Sequence, residues 1–257
     1  MANIPEISVA PHQAFELSGF SVSNAMISSY VVLAILLVFL LVLKSKLKVV
    51  PGRVQVAMEG LVLFFYNGLI DAYGSEKRAK KHLPLIVGLF LFILICNQFT
   101  IIPFTQSIVT EGGTGFFRNP TSHFALPIMM ALVVFFVSHI IAVTTNPIKH
   151  FRNFIKLGLF LKVRSFKDFG NALFENFLSI LDLIGEVAKV VSLSARLFGN
   201  VFAGEVMVAV ISGLSAYTQF IVPLPFYVLS IFSGMIQALV FAILAMAFIS
   251  GMAKSVE

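Results

Sequence analysis

Apolar residues in this chain come in long unbroken runs, and the polar positions between them gather in a few basic clusters. The runs at 27–43, 83–103 and 124–145 reach or approach the roughly 20 residues a helix needs to cross a bilayer. A last region holds two long helices, 174–213 and 224–252, separated by Val222-Pro223-Leu224-Pro225. No proline falls between Pro147 and Pro223, so nothing forces a break in the first of these two. About 40 residues at about 1.5 Å each make a rod of about 60 Å, twice the hydrocarbon thickness. A continuous helix of that length must lie about 60° from the membrane normal; a break near Gly185 or Gly199 is the alternative.

The segment 53–73 differs from these spans. It is mostly apolar, yet Gln55, Glu59 and Tyr66 fall within about 40° of one another on a helical wheel, and both flanks are basic. That pattern predicts an amphipathic helix at the cytoplasmic interface. The expected architecture is therefore an all-α integral membrane protein in one domain. It has upright transmembrane helices, one interfacial amphipathic helix and a long, strongly tilted C-terminal helical hairpin.

Composition agrees, with 58% hydrophobic and only 12% charged residues. The net charge of +6 would ordinarily raise nucleic acid as a partner, but 15 of the 18 Lys and Arg lie on one side of the spans. They follow the first span, precede the second, fill the basic loop 146–172 after the third, and end with Lys254. The positive-inside rule then puts residues 1–26 outside and the C-terminus in the cytoplasm or its equivalent, with no role for nucleic acid. Residues 1–26 lack a basic start and an apolar core, so no cleavable signal peptide is expected. Cys96 has no cysteine partner in the chain. The loop carrying Gly112-Gly113-Thr114-Gly115 and Asn119-Pro120 shows turn signals without the flanking strand and helix of a nucleotide site. His12, His82, His123, His139 and His150 show no metal-ligand spacing, and His139 fits a packed polar residue of the third span.

The charge left inside the membrane carries the chemistry. Arg196 sits within the apolar stretch 174–213, where a guanidinium costs at least about 2.5 kcal/mol to insert and cannot shed its proton. Ser192, Arg196 and Asn200 are spaced i, i+4 on one face, with Lys189 about 20° away. Glu186 and Lys189 stand at i, i+3 and can pair, and Asp182 lies one turn earlier. Glu205 is nine residues past Arg196, about 180° around the helix, so the two are poorly placed to pair. Arg196 must face either an acid on another helix of this chain or a group outside it, and the helix 224–252 offers no acid.

The segment Ser-Leu-Ser-Ala-Arg196-Leu-Phe-Gly-Asn200-Val-Phe-Ala-Gly-Glu205 resembles the signature of subunit a of the F-type ATP synthase. Ser233-Gly-Met-Ile-Gln237-Ala-Leu-Val-Phe-Ala is similar to that family's last helix, and Pro51-Gly52 and Asn97 also fit. One departure is that some members place a histidine opposite the glutamate, whereas 226–251 contains none. The resemblance implies a non-catalytic stator subunit with two offset half-channels, which pass ions to and from carboxylates on a rotating c-subunit ring. In that scheme Arg196 separates the half-channels and is essential for translocation. Glu205, Asn200, Gln237, Ser192, Glu186, Lys189 and Asp182 line the ion path. Glu205 could instead be a buried neutral carboxyl, Gln237 a bond to a neighbouring helix, and Glu186–Lys189 a local salt bridge. The implied ion is a proton, with sodium open, and no cofactor or metal is expected. The implied partners are the c-ring, the peripheral-stalk b subunits, the catalytic head indirectly, and lipid. The implied location is an energy-transducing membrane such as the bacterial plasma membrane.

Two other classes compete. A secondary transporter would act without a ring, but the internal repeats common in such folds are absent here. A membrane hydrolase would need a nucleophile and base at matching depth, which this sequence lacks.

Overall fold

The computed structural model describes residues 13–17, 20–99, 119–154, 166–213 and 222–255. The Gly112–Gly115 loop, residues 100–103 of the second expected span, and Lys156, Lys162 and Arg164 of the basic loop lie outside them. Ahead of the helices, β1 (Gln13–Leu17) and β2 (Phe20–Ser23) pair antiparallel, with Phe15 opposite Val22 and Leu17 opposite Phe20. The sequence predicts no element here, because four or five residues of alternation are too few to register against apolar runs of about 20.

Ser23 caps the first helix, its hydroxyl accepting from the Met26 amide at 3.3 Å, and α1 runs Asn24–Ser45. It touches the rest of the chain along one narrow stripe, Ser28, Val32 and Leu36, and its other faces are exposed. The helix α2 (Arg53–Tyr73) ends at Gly74, whose φ of 67° suits glycine and whose amide donates to the Ile70 carbonyl at 2.7 Å. That tight stop folds α3 (Glu76–Gln98) back against α2. Phe65 meets the Phe90 ring at 5.3 Å and Tyr73 meets His82 at 5.2 Å, an antiparallel register. The polar stripe foreseen on α2 is real: Gln55 donates to Glu59 at 2.8 Å and clasps the backbone of Lys48. Its apolar stripe, Phe65, Leu69 and Tyr73, is buried in protein.

A 3-10 turn, Pro120–Ser122, leads into α4 (Ala125–Thr145). The stretch expected as a basic loop, 146–172, instead carries a short helix, α5 (Pro147–Phe154), and the start of the next helix. The reason is local. Asn146 accepts from the Lys149 amide at 3.2 Å, and proline occupies the first helical position, the usual pair for starting a helix.

α6 (Phe166–Gly213) is unbroken over 48 residues, about 72 Å, with no interruption at Gly185 or Gly199. α7 (Pro223–Ser255) returns beside it and packs against α2, α3, α4 and α6. Its buried face reads Gly234, Ala238, Ala242, Ala245, Ile249 and Ala253. Small residues at that spacing let helix backbones approach closely, which matters where lipid supplies no hydrophobic drive. Five helices, α1, α2, α3, α4 and α7, are long and apolar enough to cross a membrane. The chain is an all-α membrane protein to which the short hairpin is appended.

Candidate ion-translocation site

Three observations fix the register of α6 against α7. Asn200 Nδ2 donates to the Ser233 carbonyl at 3.2 Å, and Ser233 Oγ donates back to Asn200 Oδ1 at 2.5 Å. One turn further, a Cβ placed on Gly204 would lie 3.0 Å from Ser230 Oγ. Toward the other end, Lys189 Nζ stands 5.4 Å from the centre of the Phe248 ring. The helices are therefore antiparallel, and stepping one turn from Asn200 and from Ser233 brings Arg196 and Gln237 to the same level.

The two residues at that level differ sharply. Arg196 is exposed on the outer face of α6, and among the described residues no carboxylate or hydrogen-bond acceptor meets it. Gln237 is buried, and its Nε2 has no hydrogen-bond partner within the described chain. A buried amide without a partner costs on the order of 1–3 kcal/mol. Arg196 thus looks away from the chain, and the intrachain ion pair that could have explained it is absent among the described residues.

One polar cluster lies on the Gly213 side of this level. Asn97 Nδ2 donates to the Gly234 carbonyl at 3.0 Å, and Asn97 Oδ1 accepts from Thr121 Oγ1 at 3.0 Å. Asn119 Oδ1 accepts from the same hydroxyl at 2.7 Å, and Gln98 Nε2 donates to the Ile231 carbonyl at 3.1 Å. Glu205 is half-buried nearby in sequence on α6, with Oε1 shielded from solvent. Gln98, Asn119 and Thr121 were missed in the sequence. In the sequence Asn119-Pro120 reads only as a turn, and only the fold shows that the turn is buried, packed against α6, α1 and α3.

A second cluster lies on the Phe166 side. Lys189 donates to Glu186 at 2.5 Å, so the i, i+3 pair forms. Both residues line a small cavity with Ser138, Phe135, Leu193 and Phe248. Asp182 and Ser192 are exposed on α6, each a turn away from this pair or from Arg196. His139 and His150 bring their rings within 5.4 Å of each other, and Glu186 is near enough to act electrostatically on His150. Between the clusters, Leu193, Leu197, Ala238 and Phe241 are buried and apolar. From Lys189 to Asn200 is about 16 Å along α6. No group of His, Cys, Asp or Glu among the described residues has the geometry to hold a metal ion.

Known proteins resemble the chain over most of its length. The profile of the family described as ATP synthase A chain matches residues 26–250. The chain is 30% identical over 229 residues to ATP synthase subunit a of Geotalea daltonii, covering 89% of this chain and 87% of that one. It is 30% identical over 242 residues to ATP synthase subunit a of Moorella thermoacetica, covering 94% and 96%. The chloroplastic ATP synthase subunit a of Stigeoclonium helveticum is 29% identical over 256 residues, covering 99% and 93%.

Proposed function

Because this chain belongs to the ATP synthase A chain family, we propose that it is the non-catalytic stator subunit through which ions reach and leave a rotating c-ring. The observation that carries this is a guanidinium with no partner among the described residues, exposed on the bundle's outer face between two separate polar clusters. An isolated transporter would turn such a charge inward to a substrate. A charge turned outward serves a carboxylate carried past on another protein.

The Asn200–Ser233 and Asn97–Thr121 cluster with Glu205 and Gln237 lines the outer half-channel. Glu186 and Lys189, with Asp182 and Ser192 along the same helix, line the cytoplasmic one. Ions cannot pass the apolar band between them directly. They cross it bound to ring carboxylates, and Arg196 favours the ionised form of each carboxylate as it passes. Each unit charge crossing 100 mV yields about 2.3 kcal/mol, which a direct leak would dissipate. The translocated ion in this reading is a proton, which Glu205 and the Glu186 pair can pass on as titratable groups, with sodium as the alternative. No cofactor takes part. The N-terminus lies outside and the C-terminus in the cytoplasm of an energy-transducing membrane, the placement set by the basic residues. The peripheral-stalk b subunits and, through them, the catalytic head hold the chain still.

The test is Arg196→Ala in the assembled complex. ATP-driven pumping in reconstituted vesicles is expected to vanish while the complex still assembles; near-normal coupled transport would refute the reading. Robust flux through the purified chain without a ring would favour a secondary transporter.

A further inference from the structure

The histidine pair beside the Glu186–Lys189 bond has no place in the two half-channels as described so far. α4 carries His139 and α5 carries His150, and the turn at Asn146-Pro147 folds one back on the other. Their rings stand 5.4 Å apart and nearly perpendicular, at 87°. His150 is buried and His139 half-buried. His139 Nδ1 lies 3.0 Å from the Phe135 carbonyl, which can only accept. Nδ1 therefore bears the hydrogen, and Nε2 is the nitrogen that takes up a further proton. Phe135 and Ser138, within a turn of His139 on α4, line the same cavity as Glu186 and Lys189 of α6.

We infer that His139 and His150 relay protons between the cytoplasm and the Glu186–Lys189 cavity, forming the mouth of the inner half-channel in this chain. This rests on the reading of the chain as the ion-conducting stator. Each transfer makes one N–H bond on an imidazole and breaks one on its donor, with no other chemistry required. Among the described residues, the groups acting on His150 are His139 on α4 and Glu186 on α6, to which Lys189 is bound, and Lys149 precedes it on its own helix. Burial, then the neighbouring His139, lowers the His150 pKa below 6.5, while Glu186 opposes the shift. His150 is thus neutral near pH 7 and able to accept a proton.

The experiment compares His139→Gln, His150→Gln and Arg196→Ala in the intact complex, with copurification of the ring confirming assembly. Glutamine keeps polarity and approximate size but cannot carry a proton. ATP-driven pumping in inverted vesicles, measured with cytoplasmic pH varied from about 5 to about 7.5, is expected to fall about tenfold or more in each histidine variant. The pH response of the wild type, with an inflection below 6.5, should flatten in the variants. Imidazole added on the cytoplasmic side should partly restore His150→Ala, which a purely packing role would not allow. Wild-type rates and an unchanged pH profile in assembled histidine variants, with Arg196→Ala inactive, would overturn this inference alone. Normal pumping by Arg196→Ala would overturn the stator reading instead. Should a variant fail to assemble, the unmodified complex decides: a flat profile across that pH range defeats the relay.

Discussion

Gly234 is where the outer cluster meets the bundle core, and it gives a sharp energetic prediction. A Cβ added there would lie 3.1 Å from Asn97 Cβ, 3.4 Å from Gln98 Nε2 and 3.8 Å from the Asn97 carbonyl. Asn97 Cβ is fixed to the α3 backbone and cannot rotate aside, so Gly234→Ala must push α3 away from α7. Overpacking of this kind costs about 1–3 kcal/mol. The push also stretches the 3.0 Å bond from Asn97 to the Gly234 carbonyl, worth about 1 kcal/mol. Gly251 is on the same helix and has nothing within 4 Å of the same added atom. Both substitutions gain the same helix propensity, about 0.8–1.0 kcal/mol, which cancels in their comparison. Gly234→Ala should therefore be less stable than Gly251→Ala by about 2–4 kcal/mol in total. Thermal unfolding of the detergent-solubilised chain reads this directly, at about 2–4 °C for each kcal/mol in a domain of this size. Equal or higher stability of the Gly234 variant would show that α3 and α7 are not in close contact there.

Glu205→Gln should slow pumping strongly and Glu205→Asp less, because a carboxyl passes a proton and an amide does not; equal rates for the glutamate and glutamine forms would remove Glu205 from the path. Cryo-electron microscopy of the membrane sector should show α6 and α7 strongly oblique to the bilayer, since about 72 Å of helix does not fit upright in about 30 Å of hydrocarbon. Two helices within about 30° of the normal would contradict it.

The helices were legible because membrane insertion demands long apolar runs, and the proline-free stretch before Pro223 foretold an unbroken α6. Arg196 was legible for the same reason: a charge that lipid penalises stands out against its neighbours. The rest depended on contacts distant in sequence. Asn97, Thr121 and Gly234 meet only once α3, the 3-10 turn and α7 are assembled. The nearness of His139 to His150 likewise depends on the Asn146-Pro147 turn, where a run of lysines and arginines had suggested only loop. The N-terminal hairpin escaped because its alternation spans so few residues.

The long helix can also be viewed as a lever. The Asn200–Ser233 clamp divides α6 unequally, leaving about 51 Å toward Phe166 and about 20 Å toward Gly213. One degree of play at that pivot moves the far end by about 0.9 Å, enough to loosen a hydrogen bond. In the proposed role, a rotor passing Arg196 would push sideways close to the pivot, where the moment arm is short and the beam deflects least. The long arm is steadied by α4 packed along it. Wear in that support, from a shortened side chain on α4 for example, would disturb the Glu186–Lys189 cavity well before it disturbed the alignment at Arg196.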